Sequence, residues 1–379
     1  MSFRCIHLVV AVLLVAAGTV QAGEKCRQAP PHTSDDYLAA GPYAVGRATF
    51  TFVDASRPTA ASGACAAEAT RTLVTEVWFP ATSPGGAFVD PGGAPYPLIA
   101  HSHGLLDFRT GEAYLAQHLA SWGYVVASAD FPLTSLSKIA CIRLADVENQ
   151  PADVSFVIDS VLEEFGGLID ATRIGASGLS FGGTTTLLLT YHPEVRDPRI
   201  KAALPIAPGA CMFTKRFFDT TDTPMLLLAG TGDALVPYRP NAKRPFNAAR
   251  GPRYLVSLRD ASHTGFAGPL VGHPGTPHPD NIGCAAIDDV VPDDPDPNAD
   301  PFAGLGGKKN GVVSTPKRCP LPCRGPLPPS AMPAALQQDL TKIAAVAFFE
   351  STLRADVGAR CFLRETFAAE QDAVRVQPR

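Results

Sequence analysis

From Leu98 onwards, short apolar runs alternate with segments of helical pattern, and this alternation limits the possible fold more than any other feature of the sequence. The apolar runs are Leu98–His101, Tyr124–Ala129, Arg173–Ser177, Ala202–Ile206, Met225–Gly230 and Tyr254–Leu258. The helical patterns are Gly111–Trp122, Ala152–Phe165, Phe181–Tyr191, Phe246–Ala249 and Ala331–Leu353. Strands that are apolar on both faces are typical of parallel sheets covered by helices. The pattern therefore predicts an α/β fold, with a mostly parallel twisted sheet and helices on both faces.

Two further strands and one long irregular segment complete this outline. Arg47–Val53 and Thr72–Phe79 alternate in polarity and are rich in β-branched and aromatic residues, which predicts two antiparallel strands. Gly265–Ser330 is rich in Pro, Gly and Asp and lacks periodic apolar residues, so we expect a long insertion (265–330) before the last helix, held in place by its cysteines. We expect residues 23–379 to form a single domain.

The first 22 residues have the pattern of a secretory signal peptide. Arg4 supplies a positive charge, and Leu8–Ala17 is apolar but short for a bilayer span. Val20-Gln21-Ala22 offers a cleavage site. Cleavage after Ala22 predicts a secreted or periplasmic protein without a stable membrane span, and an uncleaved membrane anchor is the alternative.

Cysteine usage agrees with export. Apart from Cys5 in the predicted signal, an even number of cysteines remains, which indicates up to four disulfides. They are Cys26, Cys65, Cys141, Cys211, Cys284, Cys319, Cys323 and Cys361. Their pairing stays open, because so many cysteines allow a large number of connectivities. At Cys319 and Cys323 we favour disulfides over a zinc site, because no second CxxC or HxxxH pair is present.

The charge pattern disfavours one class of partner. Nucleic-acid binders usually carry clustered basic charge, whereas this chain has a net charge of −4, so we expect no nucleic-acid partner. Asp288–Asp300 (DDVVPDDPDPNAD) is acidic but lacks the glycine spacing and closing glutamate of an EF-hand. We expect a solvated acidic loop there, with calcium binding as the alternative.

A G-x-S-x-G motif at residues 178–182 follows an apolar run and precedes a helical pattern. A strand-to-helix turn of this kind can hold a serine exposed in a strained conformation, because the glycines remove side chains that would collide. It also places Ser180 at a helix N-terminus, where N–H groups favour developing negative charge. The motif therefore predicts Ser180 as a nucleophile, and the alternative is an ordinary turn with an N-cap serine.

A second segment suits the oxyanion hole that acyl transfer requires. His101-Ser102-His103-Gly104-Leu105 follows an early strand, and one N–H donor usually comes from such a loop and the other from the residue after the nucleophile. This predicts Leu105 and Phe181 as the donors. His101 and His103 also form an H-x-H pair, but no third metal ligand is evident, so we expect no metal and a structural role for His103.

An acid and a base follow in the order expected for a catalytic triad. Asp233 comes after the apolar run Met225–Gly230, and His263 comes after the next run. The order Ser, Asp, His is that of α/β-hydrolases, and histidine can accept the serine proton near neutral pH. Asp260 and Asp222 are alternative acids, and His273 and His278 are alternative bases.

The same segments resemble a known family. Pro97–Leu105 with Phe108-Arg109-Thr110, Leu119–Ala127, Gly178–Gly183 and Asp233 are similar to platelet-activating-factor acetylhydrolases and dienelactone-hydrolase-like proteins. The wider group includes lipases and cutinase-type polyester hydrolases. The resemblance covers Arg71 to His263 and a final helix. Leu179 departs from the histidine that is commonest before the nucleophile, and the region after His263 is longer than in compact members.

The resemblance implies the α/β-hydrolase fold and a secreted serine esterase that needs no cofactor. Ser180, Asp233 and His263 would be the triad, and Leu105 and Phe181 the oxyanion donors. The substrate would be a small-molecule or lipid ester. The alternatives are a polyester or triacylglycerol hydrolase and, from another class, a non-catalytic binding protein on the same scaffold.

Overall fold

The computed structural model describes Cys26 and residues 28–268, 278–288, 300–315, 317–325 and 327–379. The predicted signal peptide at residues 1–22, His273 and most of the acidic stretch Asp288–Asp300 lie outside the described residues. None of the helices in the described ranges combines the length and the apolar run that crossing a bilayer requires.

One mixed sheet organises the described residues. Its strands are β1 (Ala44–Asp54), β2 (Arg71–Ala81), β3 (Tyr96–Ser102), β4 (Val125–Ala129), β5 (Ile169–Leu179), β6 (Ile200–Ile206), β7 (Met225–Gly230), β8 (Arg253–Leu258) and β9 (Val374–Pro378). Their order is β1-β2-β4-β3-β5-β6-β7-β8-β9. The strands from β4 to β8 in this order are parallel, while β1, β2 and β9 run antiparallel to their neighbours. The parallel strands therefore all end at the same edge of the sheet.

Helices cover both faces of the sheet. They are α1 (Ser34–Leu38), α2 (Ala113–Ser121), α3 (Gln150–Phe165), α4 (Phe181–Tyr191), α5 (Arg244–Ala248), α6 (Asp280–Asp288), α7 (Ala334–Leu353), α8 (Val357–Cys361) and α9 (Phe367–Glu370). Because side chains alternate along a strand, Ile99 packs with α2 and α7 on one face, and Leu98 packs with α3 on the other. Helices α4 and α5 share a core cluster with Leu227 and Leu255 on this second face. This architecture confirms the predicted α/β-hydrolase fold.

Three parts of the chain extend the outline that the sequence predicted. The predicted last helix is α7, but α8, α9 and the edge strand β9 follow it. The N-terminal stretch before β1, for which the sequence pattern predicted no helix or strand, contains α1 with a buried Tyr37. The insertion, which lacks a periodic apolar pattern, nevertheless contains α6.

Four disulfides join all eight cysteines from Cys26 onwards. The pairs are Cys26–Cys361, Cys65–Cys141, Cys211–Cys319 and Cys284–Cys323. Cys319 and Cys323 thus have different partners, and neither is a free thiolate for zinc. The insertion is tied to the body through Cys211–Cys319 and through a backbone bridge between Phe213 and Val312.

Candidate active site

Ser180 lies in a sharp turn between β5 and α4. Its backbone has φ +57° and ψ −113°, a conformation that is strained for a residue with a side chain. A Cβ on Gly182 would collide with the carbonyl oxygens of Ser102 and His103, and a Cβ on Gly178 would collide with the Gly182 backbone. The glycines of the motif are therefore required for this turn, as the sequence predicted.

The three predicted triad residues all follow parallel strands that end at one edge of the sheet. Ser180 comes after β5, Asp233 after β7 and His263 after β8. The structure brings two of them into direct contact, because His263 Nδ1 lies 2.7 Å from Asp233 Oδ2. Ser180 is partly exposed, whereas both residues of this pair are buried.

The Asp233–His263 contact sets the state of the imidazole. A carboxylate can only accept, so Nδ1 carries the proton and Nε2 is left with its lone pair. Burial lowers the pKa of His263, but the carboxylates of Asp233 and Asp280 together outweigh this effect, and the net pKa lies above the usual value. Asp233 Oδ1 also accepts a hydrogen bond from the Val236 N–H at 2.6 Å, which fixes the carboxylate.

Of the alternative acids and bases that the structure describes, none hydrogen-bonds to the side chain of Asp233 or His263. Asp260 and Asp222 are exposed, and in the described part of the chain neither carboxylate contacts His263. His278 is buried, and its Nδ1 accepts a hydrogen bond from the Asp280 N–H at 3.3 Å. The fourth candidate, His273, is outside the described residues.

The loop after β3 lies against the serine turn. A Cβ placed on Gly104 would lie 3.5 Å from the Ser180 Cβ. Among the described residues, the N–H groups of Leu105 and Phe181 donate no hydrogen bond, whereas the Leu106 N–H donates to the Thr134 carbonyl oxygen. Two unused donors therefore flank the serine turn, which is what an oxyanion hole requires.

His103 supports this loop from beneath. Its Nδ1 donates to the Gly104 carbonyl oxygen at 2.7 Å, and its Nε2 accepts from the Phe131 N–H at 3.1 Å. Both ring nitrogens are occupied, and burial lowers the pKa of His103, which keeps the ring neutral. This is the structural role that the sequence suggested.

A second group of buried polar residues lies next to His103. His101 contacts Ser177 Oγ through Nδ1 at 2.7 Å and Glu112 Oε2 through Nε2 at 3.0 Å. Burial lowers the pKa of His101 to about 4 and raises that of Glu112 to about 7. Burial and nearby Glu112 raise the pKa of Asp107 to about 8. In the described ranges, no group of three or more His, Cys, Asp or Glu side chains is arranged to hold a metal ion.

One residue at this edge of the sheet was missed by the sequence reasoning. Asp280, the first residue of α6, is fully buried and accepts hydrogen bonds from the N–H groups of Ala234, His263 and Thr264. It belongs to no local motif, and it lies in the insertion that lacks a periodic pattern. Only the folded chain shows that it is near the predicted acid and base.

An apolar rim borders the loop after β3. Asp107 forms a backbone bridge with Ser135, and the Leu136 N–H donates to the Asp107 carbonyl oxygen at 2.8 Å. Leu136 is 36% exposed and Ile139 is 60% exposed. Large aliphatic side chains thus face solvent in the segment that pairs with the predicted oxyanion loop.

The chain is similar to a known family and to several known proteins. The sequence model of a family described as PET hydrolase-like matches residues 57–269, more than half of the chain. This range contains Ser180, Asp233 and His263.

Several curated proteins are similar over a shorter stretch. Lipase 1 of Moraxella sp. (strain TA144) is 25% identical over 44% of this chain and 47% of its own length. Cutinase est2 of Thermobifida alba is 27% identical over 44% of this chain and 53% of its own length. A cutinase of Thermobifida fusca (strain YX) is 26% identical over 40% of this chain and 47% of its own length. The chain thus spans about half the length of the curated relatives it matches.

Proposed function

Because the chain belongs to the PET hydrolase-like family, we propose that it is a serine hydrolase that cleaves carboxylic esters through an acyl-enzyme intermediate. The observation that carries this proposal is the buried 2.7 Å contact between His263 and Asp233, at the edge of the sheet where Ser180 lies in its strained turn. The names of the relatives, a lipase and two cutinases, support the same chemistry.

Each residue has a defined role in this proposal. Ser180 Oγ attacks the ester carbonyl, and His263 Nε2 takes its proton and later returns it to the leaving alcohol. Asp233 holds the imidazole in the correct tautomer and stabilises it when it is charged. The N–H groups of Leu105 and Phe181 bind the oxyanion, and one such donor typically contributes about 3–4 kcal/mol to transition-state stabilisation.

We also propose that the protein is exported from the cytoplasm. Four disulfides pair every cysteine from Cys26 onwards, and disulfides persist in oxidising surroundings. Together with the signal-peptide pattern, this supports a secreted or periplasmic enzyme, and we propose that residues 23–379 form its single domain around the one sheet.

Two substrate classes fit the site. The exposed Leu136 and Ile139 beside the predicted oxyanion loop favour apolar, water-insoluble esters, such as polyesters or triacylglycerols. The family description and the cutinase names favour polyesters in the same way. The resemblance to platelet-activating-factor acetylhydrolases and dienelactone-hydrolase-like proteins instead favours soluble short-acyl or lipid esters.

The decisive experiment replaces the predicted nucleophile. We expect Ser180→Ala to abolish hydrolysis of p-nitrophenyl esters and labelling by a fluorophosphonate, with an unchanged circular dichroism spectrum. The matched control is Ser160→Ala, which removes a serine on α3 that bonds only its own helix. Labelling at another residue, or full activity in Ser180→Ala, would refute the assignment. Absence of hydrolysis and labelling in the wild-type protein would indicate a binding protein.

A substrate series separates the two classes. Rates on p-nitrophenyl esters of increasing acyl length are compared with the release of soluble product from a polyester film. Cleavage of the film and a preference for longer acyl chains would support the hypothesis of a polyester or triacylglycerol substrate. Activity restricted to acetyl and butyryl esters would support the hypothesis of a soluble short-acyl ester.

A further inference from the structure

We propose that Asp280, contributed by the insertion after His263, is a positioning residue. It fixes the loop after β7 that carries Asp233 (the acid loop) relative to the loop after β8 that carries His263 (the base loop). This inference rests on the proposed function for its catalytic consequence. It goes beyond that function because it assigns the insertion a role in positioning the catalytic residues.

The three hydrogen bonds of Asp280 join the two loops directly. Asp280 Oδ2 accepts from the Ala234 N–H at 2.9 Å and from the His263 N–H at 3.1 Å. Asp280 Oδ1 accepts from the Thr264 N–H at 2.7 Å. Ala234 is the residue after the predicted acid. One carboxylate therefore fixes the backbone beside the acid, the backbone of the base and the residue that follows the base.

The helix that carries Asp280 is itself fixed against these loops. A Cβ on Gly283 would lie 2.6 Å from Thr264 Oγ1 and 2.9 Å from Leu235 Cδ2, so α6 packs tightly against both. Cys284, on the same helix, forms a disulfide with Cys323. The Cys323 N–H donates to the Ala234 carbonyl oxygen at 3.0 Å. The Ala234 residue is thus held through its N–H by Asp280 and through its carbonyl by the disulfide partner of α6.

The carboxylate also acts electrostatically on the base. Asp280 is fully buried, so its charge is poorly screened by water. Among the described residues, the titratable groups that act on His263 are Asp233 from the loop after β7 and Asp280 from α6, and both raise the pKa of His263 against the effect of burial. His278 also lies near Asp280, with its Nδ1 4.0 Å from Asp280 Oδ2.

Two substitutions separate the geometric from the electrostatic contribution. Asp280→Asn keeps the size of the side chain but removes its charge and turns an amide N–H toward one of the three donors. We expect kcat to fall about ten- to hundredfold with little change in KM, because small displacements of catalytic groups have effects of this size. The acid limb of the kcat/KM profile should move to lower pH. Asp280→Glu keeps the charge but misplaces it, so kcat should fall while the acid limb stays near its wild-type position.

A matched control and a non-catalytic readout complete the test. Asp300→Asn removes an insertion carboxylate that accepts the Phe302 N–H at 3.0 Å, and it should leave the kinetics unchanged. NMR titration of the His263 ring, assigned by its loss in His263→Gln, should show a lower pKa in Asp280→Asn. This readout remains valid if the wild-type protein proves to hydrolyse no ester, so a failure of the proposed function is distinguished from a failure of this inference.

The inference is overturned if folded Asp280→Asn retains the wild-type kcat and the wild-type His263 titration. If that variant does not fold, Cys284→Ala/Cys323→Ala loosens α6 while leaving the carboxylate in place. It should lower kcat more than Cys26→Ala/Cys361→Ala, which removes the disulfide between the N-terminal segment and α8. Equal kcat values in the two cysteine variants would likewise contradict a role for α6 in positioning.

Discussion

His263 has opposing influences on its charge, and their balance defines the pH range in which it can act as a base. Removal from water disfavours the imidazolium, whereas the carboxylates of Asp233, at 2.7 Å, and of Asp280 favour it. The second influence prevails, so the pKa lies above the usual value of about 6.5. A general base must be neutral to accept a proton, and activity should therefore fall as the pH drops through this raised pKa.

Replacing the acid tests this balance. In Asp233→Asn the imidazole loses the acceptor that selects its tautomer, and we expect kcat to fall by about 10³–10⁴-fold. The pKa of His263 should also fall, so the remaining activity should extend to lower pH than in the wild type. Steady-state pH profiles measure both effects. Asp260→Asn, on the exposed alternative acid next to the base loop, serves as the control. If Asp260→Asn loses activity while Asp233→Asn keeps it, the acid is Asp260 and not Asp233.

At the scale of elements, one buried arginine joins the start of β2 to α3 and to the loop before it. Arg71 bonds both carboxylate oxygens of Asp153 on α3 at 2.6–2.7 Å and both of Asp146 at 2.8–3.1 Å. All three side chains are buried, and Arg57 adds a contact to Asp153 at 2.8 Å. The network links β2 to α3 and to the loop that precedes this helix.

Removing the arginine should therefore destabilise the fold strongly. Arg71→Met leaves two buried carboxylates without their main partner, and we expect the free energy of unfolding to fall by about 3–5 kcal/mol. Arg173→Met, which breaks the partly exposed pair with Asp170, should cost less than about 1 kcal/mol. Denaturant titration of both variants measures the difference. Similar losses of unfolding free energy in the two variants would show that the buried Arg71 network stabilises the fold no more than a partly exposed ion pair does.

The elements that the sequence predicted are those with a strong local pattern. Met225–Gly230 and Phe181–Tyr191 coincide with β7 and α4, because an apolar run and a helical stretch after a glycine turn are visible within a few residues. Strand β9 was not predicted, because it is a five-residue edge strand whose partner β8 lies far away in the sequence. Helix α6 was missed because it depends on packing against the loops after β7 and β8.

The residues of the candidate site likewise divide into those with a local sequence signal and one that depends on distant contacts. Ser180 is recognised by a motif, and Asp233 and His263 by their places after apolar strands. Asp280 acts through backbone N–H groups that are 46 and 17 residues away along the chain. Contacts with backbone N–H groups require no particular residue type at the donor, so the sequence carries no signal for them. Only the folded structure shows that Asp280 lies in the same site.

At the scale of the whole molecule, one disulfide joins distant parts of the chain. Cys26 and Cys361 are 335 residues apart, so their bond restricts the unfolded chain over most of its length. We expect Cys26→Ala/Cys361→Ala to lower the free energy of unfolding by about 2–5 kcal/mol. Denaturant titration under non-reducing conditions measures this, with the same titration in dithiothreitol as a reference. A count of eight free thiols in the mature wild-type protein, without the predicted signal peptide, would contradict the disulfides themselves.

The same bond between residues 26 and 361 makes most of the polypeptide a covalent ring. A protease that cuts one exposed peptide bond inside this ring leaves a single molecule, because the two pieces stay joined through sulfur. Nicking within the long segment after the base loop therefore cannot release the half that carries the serine from the half that carries the C-terminal helices. In an environment rich in proteases, such a ring tolerates a first cut without dissociating.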